Sequence, residues 1–463
     1  MRLQGAIYRK KEYPKKLSAV SERNRRLQMS NFTIGIIGTA ILLVLILLGM
    51  NIGIAMLTVG FVGYWAVVNF KAAFSVLCTV PSAQATNYSM IVIPLFVLMG
   101  NLAYRANLSE GLYNFSKKWL SRVPGNMAAA SVAACAGFGA ICGSSPATCA
   151  TMSVVSLPEM RKAGYDDRLS TGSIAIGGTL GIMIPPSTPM ILYAVITSSS
   201  VGALFAAGIV PGIMIAALCI ITIVILCKLR PGYAPPPSKC SWKERFKSLK
   251  GIIGVVVLFG VVLGGIFTGW FSVCQSAAVG AFLACLLCIP SHTFSFKTIF
   301  ESLNECVRTF AMTFLMVIGA AVYGSFLTIT NLPSTLATAI VSADLNKYIV
   351  ILLITVIYVF LGMMMDELPM MMLTVPIFYP VITSMGFSDI WFGIYIIIAM
   401  EYGALTPPVG MNCFIIKNVS KDISLGTVYR GVIPFVITLT VALALITFFP
   451  GIVTFLPTLF GLM

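Results

Sequence analysis

The chain has 463 residues, of which 58% are hydrophobic and only 10% are charged, and its mean hydropathy is +0.96. Because an ordinary soluble domain has about 25% charged residues, this composition excludes that class. The formal net charge of +15 would suit a nucleic-acid-binding protein. The basic residues, however, lie in short segments between apolar runs, where they set membrane topology. We therefore predict no nucleic-acid partner.

Long uncharged runs identify the fold class. A membrane-spanning helix needs about 20 apolar residues, so the longer runs must each hold two helices. The sequence predicts an all-α polytopic membrane protein. The runs cover 27–70, 72–104, 169–227, 251–296, 309–343 and 431–463.

The first 28 residues form a basic tail with nine Lys or Arg and two Glu. The tail is either a cytoplasmic extension or an artefact of the assigned start, in which case Met29 begins the chain. If three full spans precede a cytoplasmic Arg105, the tail lies outside with its positive charges, against the positive-inside rule. Either one early segment does not span the membrane, or residues 1–28 are absent from the mature chain.

The first half of the chain is predicted to cover 33–227. We expect spans near 33–50, 52–70, 89–104 and 204–227, with a helical hairpin at 126–158 and a broken span at 173–198.

A Pro-rich linker at 228–250 follows, and its seven basic residues against Glu244 place it in the cytoplasm. The second half, 251–450, is predicted to contain another hairpin at 348–382 and another broken span at 393–416. The other spans of this half are expected near 251–268, 274–290, 309–330 and 431–449.

The two halves share a pattern of Pro, Gly and Asp positions at an offset of 222 residues. Few other side chains match, so the repeat preserves mainly the places where a helix must break. Such paired breaks at membrane depth are typical of the binding sites of secondary transporters. The matching pairs are Pro158 and Pro380, Gly164 and Gly386, Asp167 and Asp389, Gly181 and Gly403, and Pro185-Pro186 and Pro407-Pro408.

Loop charges indicate that the two repeats are inverted. Segments 105–124 and 159–168 hold four and three basic residues, and their counterparts near 327–346 and 381–390 hold none. The bias then reverses, because 417–430 holds three basic residues and its counterpart has no charge. Under the positive-inside rule, matching points face opposite sides of the membrane.

The first repeat contains the stretches GSSPAT (143–148) and GIMIPPS (181–187). Gly143 permits a sharp turn, and Ser144 and Ser145 supply hydroxyls at the expected hairpin tip. Pro185 and Pro186 leave carbonyl groups without helical partners. Carbonyl and hydroxyl oxygens suit a hard cation such as Na⁺. The alternative is a kink required only for packing, with serines at a helix interface.

In the second repeat, acidic residues occupy the positions equivalent to the hairpin tip and the region of the break. Asp366 and Glu367 stand where the first copy has its two serines, and Glu401 and Thr406 flank the second break. A carboxylate at membrane depth costs at least about 2.5 kcal/mol, so it is a functional candidate. Otherwise these acids lie near an interface or pair with a basic residue. The flanking methionines are interpreted as adaptable packing.

Four stretches resemble a known family: FGAICGSSPATCAT, LPEMRKAGYDD, GGTLGIMIPPSTPMILYAV and EYGALTPPVGMN. They are similar to the large membrane (permease) subunit of tripartite ATP-independent periplasmic (TRAP) transporters, from about residue 33 to 450. The resemblance implies Na⁺-coupled import of a small organic acid by an elevator mechanism in the bacterial inner membrane. It also implies two partners, a small four-helix membrane subunit and a soluble periplasmic substrate-binding protein.

The resemblance also implies site residues. Substrate would contact Ser144, Ser145, Ser187 and Thr406. One Na⁺ site would use the first hairpin tip and the first break, and a second would use the region of Asp366 and the second break. The implied ion-binding residues are Gly143, Ser144, Gly178, Gly181, Pro185, Asp366, Gly403, Thr406 and Pro407. One departure is SVCQSAAV (272–279), where Gln275 replaces an acid that members of the family often carry.

Two other readings remain open. A stand-alone elevator-type anion carrier would need no binding protein. An intramembrane enzyme would use Ser144 or the two acids, but no G-x-S-x-G or H-E-x-x-H motif supports it. No transition-metal site or other cofactor is predicted, because the twelve Cys are scattered and His292 is the only His. The particular organic acid, and Na⁺ against H⁺, stay open. Without basic residues at membrane depth, the anion would be held by hydroxyls, amides, bound cations and the helix starts after Pro186 and Pro408.

Overall fold

The computed structural model describes residues 31–237, 240–343 and 345–463. The predicted basic tail and the alternative start at Met29 lie outside the described residues. Within the described ranges the regular elements are all helices, and no strand occurs. The prediction of an all-α chain is confirmed.

The first half holds ten helices among the described residues. They are α1 (Asn31–Leu47), α2 (Ile52–Val67), α3 (Phe70–Ala85), α4 (Val92–Arg105), α5 (Leu108–Trp119), α6 (Asn126–Cys142), α7 (Ser145–Lys162), α8 (Asp167–Met183), α9 (Thr188–Thr197) and α10 (Val201–Leu229).

Eleven further helices follow among the described residues. They are α11 (Trp242–Ser248), α12 (Ile253–Phe267), α13 (Val273–Leu287), α14 (Phe296–Thr330), α15 (Leu332–Ser342), α16 (Lys347–Gly362), α17 (Glu367–Ser384), α18 (Asp389–Leu405), α19 (Met411–Val419), α20 (Leu425–Phe448) and α21 (Gly451–Leu459).

The described residues include six helical segments that are long and apolar enough to cross a membrane, or seven if the bent pair α8 and α9 counts as one span. The bend between α8 and α9 is 40°. The prediction of a polytopic membrane protein is therefore confirmed. The six segments are Tyr88–Arg105, Val201–Leu229, Trp242–Phe267, Phe296–Thr330, Glu367–Ser384 and Leu425–Phe448.

Five helices lie where the sequence predicted no span, namely α3, α5, α11, α15 and α21. The clearest case is α11, which forms inside the predicted linker. Its first turn is a capping box in which the Glu244 carboxylate accepts a hydrogen bond from the Ser241 amide at 3.0 Å. Such a cap satisfies helix-end donors locally, so helix formation starts inside the linker, before the span predicted near 251–268.

The chain divides into two compact units, and each takes residues from both predicted halves. The smaller unit contains the described residues up to Thr86, together with Phe314–Leu345 and Pro376–Met385. Its helices pack at backbone contact: a Cβ on Gly60 would lie 2.7 Å from the Tyr323 amide nitrogen. The division of the sequence into repeat halves therefore stays a prediction, separate from the spatial units.

The larger unit contains Asn87–Thr313, Asn346–Val375 and Gly386–Met463. Its core holds α8 and α18, whose residues are buried from Leu169 to Met183 and from Ile390 to Leu405. A helix that is buried on all sides needs no polar face, which explains their nearly uncharged sequences. These two helices end at the two Pro-Pro breaks and so carry the candidate site.

Helix bounds recur at the same offset of 222 residues that relates the two sequence repeats. Helix α7 begins and ends 222 positions before α17, and α8 begins and ends 222 positions before α18. Each half thus contains a helical hairpin followed by a broken helix. The opposite orientation of the two copies stays a prediction from loop charge.

Candidate functional site

The first hairpin turns at Gly143, between α6 and α7. Gly143 has φ +62°, a left-handed conformation that L side chains rarely adopt. Its carbonyl accepts a hydrogen bond from the Thr188 amide at 3.4 Å, and a Cβ on Gly143 would lie 2.8 Å from the Pro186 carbonyl oxygen. The hairpin tip therefore packs directly on the first break.

Glycines let the end of α8 approach the hairpin. A Cβ on Gly139 would lie 2.4 Å from the Gly181 Cα. On its other side, a Cβ on Gly181 would lie 2.6 Å from the Thr148 hydroxyl and 2.8 Å from the Ser144 carbonyl oxygen. Gly178 faces Cys149. Both predicted ion-binding glycines thus lie at close helix contacts, and Gly181 lies beside two oxygen atoms.

The first break is buried and has unpaired oxygens. Helix α8 ends at Met183, and Ile184 and Ser187 are extended on either side of the cis Pro185-Pro186 bond. Ser187 is 1% exposed, and its hydroxyl has no hydrogen-bond partner among the described residues. The buried Thr148 hydroxyl also has none there. Buried polar groups are normally satisfied, so these hydroxyls are free to bind an ion or substrate.

The second hairpin turns between α16 and α17, and Asp366 takes the place that Ser144 has in the first. The Asp366 carboxylate accepts a hydrogen bond at 2.9 Å from the amide of the next residue, Glu367, at the start of α17. Ser144 caps α7 by accepting a longer bond of 3.5 Å from the Ala147 amide. The Glu367 side chain is buried beside Asp366. Both predicted tips thus place a half-buried polar side chain, which accepts a backbone hydrogen bond, at the start of a helix.

The second break differs from the first because protein groups satisfy it. The Thr406 hydroxyl donates to the Tyr402 carbonyl at 2.7 Å. The Tyr429 hydroxyl lies 2.9 Å from the carbonyl oxygens of both Pro408 and Val409. Pro407 is exposed, whereas the prolines of the first break are buried. The predicted second ion site therefore has fewer free oxygens at its break than the first.

A cavity of about 170 Å³ lies between the two hairpin tips, inside the larger unit. Three helices begin at its wall: α7, α9 and α17. A helix amino terminus carries a partial positive charge and free amides, which attract anions. Within the part of the chain that the structure describes, no Lys or Arg lines it. The lining residues are Val97, Asn101, Cys142, Gly143, Ser144, Pro146, Ala147, Ile182, Thr188, Pro189, Thr309, Thr313, Asp366, Glu367 and Leu368.

The structure brings together some of the predicted site residues and separates others. Gly143, Ser144 and Asp366 line the cavity. Ser187 lies one residue before the lining Thr188, and Ser145 is fully buried behind the tip. The other predicted residues of the two breaks, Gly178, Gly181, Pro185, Gly403, Thr406 and Pro407, do not line this cavity.

A smaller cavity of about 70 Å³ lies beside the second tip and is lined by Asp366, Glu367, Val409, Met411 and several other methionines. The start of α19 contributes to this cavity and not to the larger one. Asp366 lines both the larger and the smaller cavity. Glu401 is fully buried near the second break, and neither of its carboxylate oxygens has a hydrogen-bond partner among the described residues.

Sequence reasoning missed Asn412. Its side-chain amide donates to the Ser145 hydroxyl at 3.0 Å and to the Ala175 carbonyl at 3.1 Å. It thereby ties the first hairpin and α8 to the start of α19. A polar residue four positions after Pro408, in apolar sequence, was the available signal. The cavity residues Asn101, Thr309 and Thr313 carry no such signal in the sequence, because they are far from the two hairpins along the chain.

Residues that could hold a transition metal are not gathered at the site. Among the described residues, no group of three or more His, Cys, Asp or Glu side chains could hold a metal ion. The available chemistry is therefore that of hydroxyls, carboxylates, backbone amides and carbonyls.

The family model and the curated relatives that match this chain belong to the same group of transporters. The family model described as "Tripartite ATP-independent periplasmic transporter, DctM component" matches residues 39–452. The chain is 33% identical over 375 residues to the sialic acid TRAP transporter large permease protein SiaM of Vibrio cholerae, covering 81% of this chain and 87% of that protein. It is 30% identical over 383 residues to the C4-dicarboxylate TRAP transporter large permease protein DctM of Pseudomonas aeruginosa, covering 81% and 88%.

Among solved structures, the chain resembles the YdaH transporter of Alcanivorax borkumensis with a TM-score of 0.57. The match covers 81% of this chain and 89% of that one at 14% identity. At this identity the likeness concerns the fold alone.

Proposed function

Because the chain belongs to the DctM component family of tripartite ATP-independent periplasmic transporters, we propose that it is the membrane-embedded permease subunit of a Na⁺-coupled importer of a small organic acid. The transport path would pass through the cavity between the two hairpin tips. The role is transport and not catalysis.

The cavity is the observation that carries this proposal. Three helix starts and the polar side chains of Asn101, Ser144 and Thr188 surround a space of about 170 Å³. Backbone amides and hydroxyls can bind a carboxylate without a basic side chain. The space is below the roughly 300 Å³ at which drug-sized pockets begin, which favours a small acid.

The charges at the same cavity support coupling to a cation. Asp366 and Glu367 face the space in which an anion would bind, and like charges repel. A cation that enters with the substrate removes this repulsion. The free hydroxyls of Thr148 and Ser187 suit Na⁺, since hard cations prefer oxygen. Each net positive charge that moves inward gains about 2.3 kcal/mol per 100 mV, so excess Na⁺ makes uptake concentrative.

The proposal also includes two partner proteins and a transport mechanism. The named relatives of this chain are TRAP transporter permease proteins for sialic acid, C4-dicarboxylate, isethionate and ectoine. We place this chain in a bacterial inner membrane with a small membrane subunit and a periplasmic substrate-binding protein, working by an elevator mechanism. Selectivity among acids would then lie largely in the binding protein.

Reconstitution tests the function. Proteoliposomes containing the chain and its small subunit are given the binding protein and labelled C4-dicarboxylate, sialic acid or isethionate under an inward Na⁺ gradient. We expect uptake of one acid that needs both Na⁺ and the binding protein. Uptake driven equally by a proton gradient would replace Na⁺ with H⁺, and uptake without the binding protein would favour a stand-alone carrier.

A second measurement needs no substrate. Na⁺ should raise the unfolding temperature of the purified chain in a saturable manner, whereas K⁺ at the same ionic strength should not. Ser144→Ala should weaken this effect, and Ser334→Ala, at an exposed serine outside the cavity, should leave it intact.

A further inference from the structure

Two short helices outside the transport cavity, α5 and α11, form one surface in the larger unit. A Cβ on Gly111 of α5 would lie 2.3 Å from the carbonyl oxygen of Gly251, which follows α11. The buried Arg245 guanidinium of α11 donates to the Ser121 hydroxyl at 3.0 Å. Such backbone contact and a buried hydrogen bond fix α11 firmly against α5.

The outer side of this pair is aromatic. Trp119, Trp242 and Phe246 are 37%, 57% and 60% exposed. The Phe246 ring centroid lies 6.3 Å from those of both Trp119 and Trp242, so the three rings form one patch. Tryptophan is enriched where a protein meets the boundary between water and lipid tails, because its ring is apolar and its N–H is polar.

Basic residues flank the same rings in sequence. Lys243, Lys247 and Lys250 are exposed, and Arg122 follows α5 on the exposed surface. Lys118 precedes Trp119 directly. The acid on α11, Glu244, is occupied in the helix cap, where it accepts from the Ser241 amide. We call the surface formed by Trp119, Trp242, Phe246, Lys118, Arg122, Lys243, Lys247 and Lys250 the α5–α11 face.

We propose that the α5–α11 face binds the surface of a membrane rich in anionic phospholipids, with its aromatic rings among the upper acyl chains and its cations on the phosphates. Charge complementarity supports this occupant, since the face carries five cations, whereas Glu244 caps its own helix and Glu110 lies at the opposite end of α5 from Trp119. Helix α12 begins directly after this surface, in one candidate span that runs from Trp242 to Phe267. The face therefore lies at the end of a membrane-spanning helix, at headgroup level.

Lipid selectivity of the full-length chain tests the proposal. The purified protein in detergent is titrated with phosphatidylglycerol or phosphatidylcholine, and the unfolding temperature and tryptophan emission are followed. We expect phosphatidylglycerol to bind more tightly. Because each cation near an anionic surface contributes about fivefold in affinity, the triple variant K243Q/K247Q/K250Q should lose about 100-fold toward phosphatidylglycerol and little toward phosphatidylcholine.

Two variants serve as controls. The variant K243R/K247R/K250R keeps the charge and should retain the preference for phosphatidylglycerol. The variant W242A/F246A keeps the lysines and should weaken binding of both lipids. The three lysines are exposed, so their variants should fold like the parent. Trp242 also contacts the Arg245 guanidinium, at 4.9 Å from its ring centroid, so circular dichroism and the unfolding temperature without lipid check the fold of W242A/F246A.

Three outcomes would overturn the proposal. One is equal binding of the two lipids by the parent chain. Another is an unchanged preference in the Lys→Gln triple variant. The third is protection of Lys243 and Lys247 from a water-soluble amine reagent only when the small membrane subunit is present, which would assign the face to a protein partner.

Discussion

The Asn412 side-chain amide donates a hydrogen bond of 3.0 Å to the Ser145 hydroxyl, although the two residues are 267 positions apart. Both side chains are fully buried. The bond joins the first hairpin to the helix that follows the second break, so the two sequence repeats meet at this point.

Replacement of Asn412 should destabilise the chain. Asn412→Ala leaves the Ser145 hydroxyl and the Ala175 carbonyl without this partner in a buried place, which costs about 2 to 3 kcal/mol. Thermal unfolding in detergent, followed by intrinsic fluorescence, measures the loss. Asn114→Ala, at an exposed asparagine of α5, is the matched control. Equal unfolding temperatures for the two variants would contradict the structural role of Asn412.

Addition of a single methyl group at Gly403 should disturb the second hairpin. A Cβ there would lie 2.3 Å from the Gly362 Cα, so α16 and α18 must separate. Overpacking of this kind costs about 1 to 3 kcal/mol, and we expect Gly403→Ala to lower both the unfolding temperature and transport.

Gly264→Ala provides the control for Gly403, because no heavy atom lies within 4 Å of the added Cβ in α12. It should fold and transport normally. A normal Gly403→Ala variant would mean that the two helices are not in backbone contact.

Replacement of Asp366 by Asn tests the charge of this carboxylate separately from its hydrogen bond to the Glu367 amide. Asp366→Asn keeps an oxygen that can accept from the Glu367 amide, so the hairpin should fold. It removes a cavity carboxylate, and hydrogen bonds or contacts to a charged group are worth about 1.5 to 3 kcal/mol. We expect Na⁺-dependent uptake to fall about tenfold or more with little change in the unfolding temperature. Unaltered uptake and Na⁺ stabilisation would remove Asp366 from the ion site.

An exposed ion pair predicts a pH dependence. The Asp422 carboxylate lies 2.6 Å from Arg161, and the hydrogen bond from Arg161 holds the pKa of Asp422 below its usual value of 3.8. A carboxyl group whose pKa is lower in the folded state stabilises that state above its unfolded pKa, and this contribution disappears as pH falls through the folded pKa. The effect is small because the pair is exposed to solvent.

The measurement compares unfolding temperatures of the parent chain and Asp422→Asn from pH 7 to pH 3. The variant should be slightly less stable at pH 7 and equal to the parent at the acid end. Glu110→Gln removes another exposed carboxylate, which forms no ion pair among the described residues, and should show no such convergence. A gap between parent and Asp422→Asn that widens toward acid pH would contradict the prediction.

The breaks and turns could be predicted from sequence because their causes are local. Proline removes a backbone donor wherever it stands, and Gly143 permits a left-handed turn without reference to distant residues. Helix α8 therefore ends beside Pro185-Pro186, and the hairpin turns at Gly143. The class of membrane protein followed from hydropathy, since the lipid interior imposes the same length on every span.

The composition of the cavity could not be predicted in the same way. Thr309 and Thr313 reach it from α14, about 165 positions after Ser144, and nothing near them in sequence marks a site. Ser145 and Ser144 are neighbours with the same side chain, yet one is buried against Asn412 and the other lines the cavity. Only the packing of distant helices makes this distinction.

The three helix starts around the cavity have a consequence for how substrate range can change. The positive end of a helix consists of peptide groups, which every amino acid except proline supplies. Point mutations therefore cannot easily abolish that attraction for negative charge. Under the proposed function, exchange of the hydroxyl and amide side chains on the wall, at Asn101, Thr309 and Thr313, would alter the shape of the accepted acid while leaving its charge recognised. Related proteins could thus acquire new substrates by substitution at these few uncharged positions of the cavity wall.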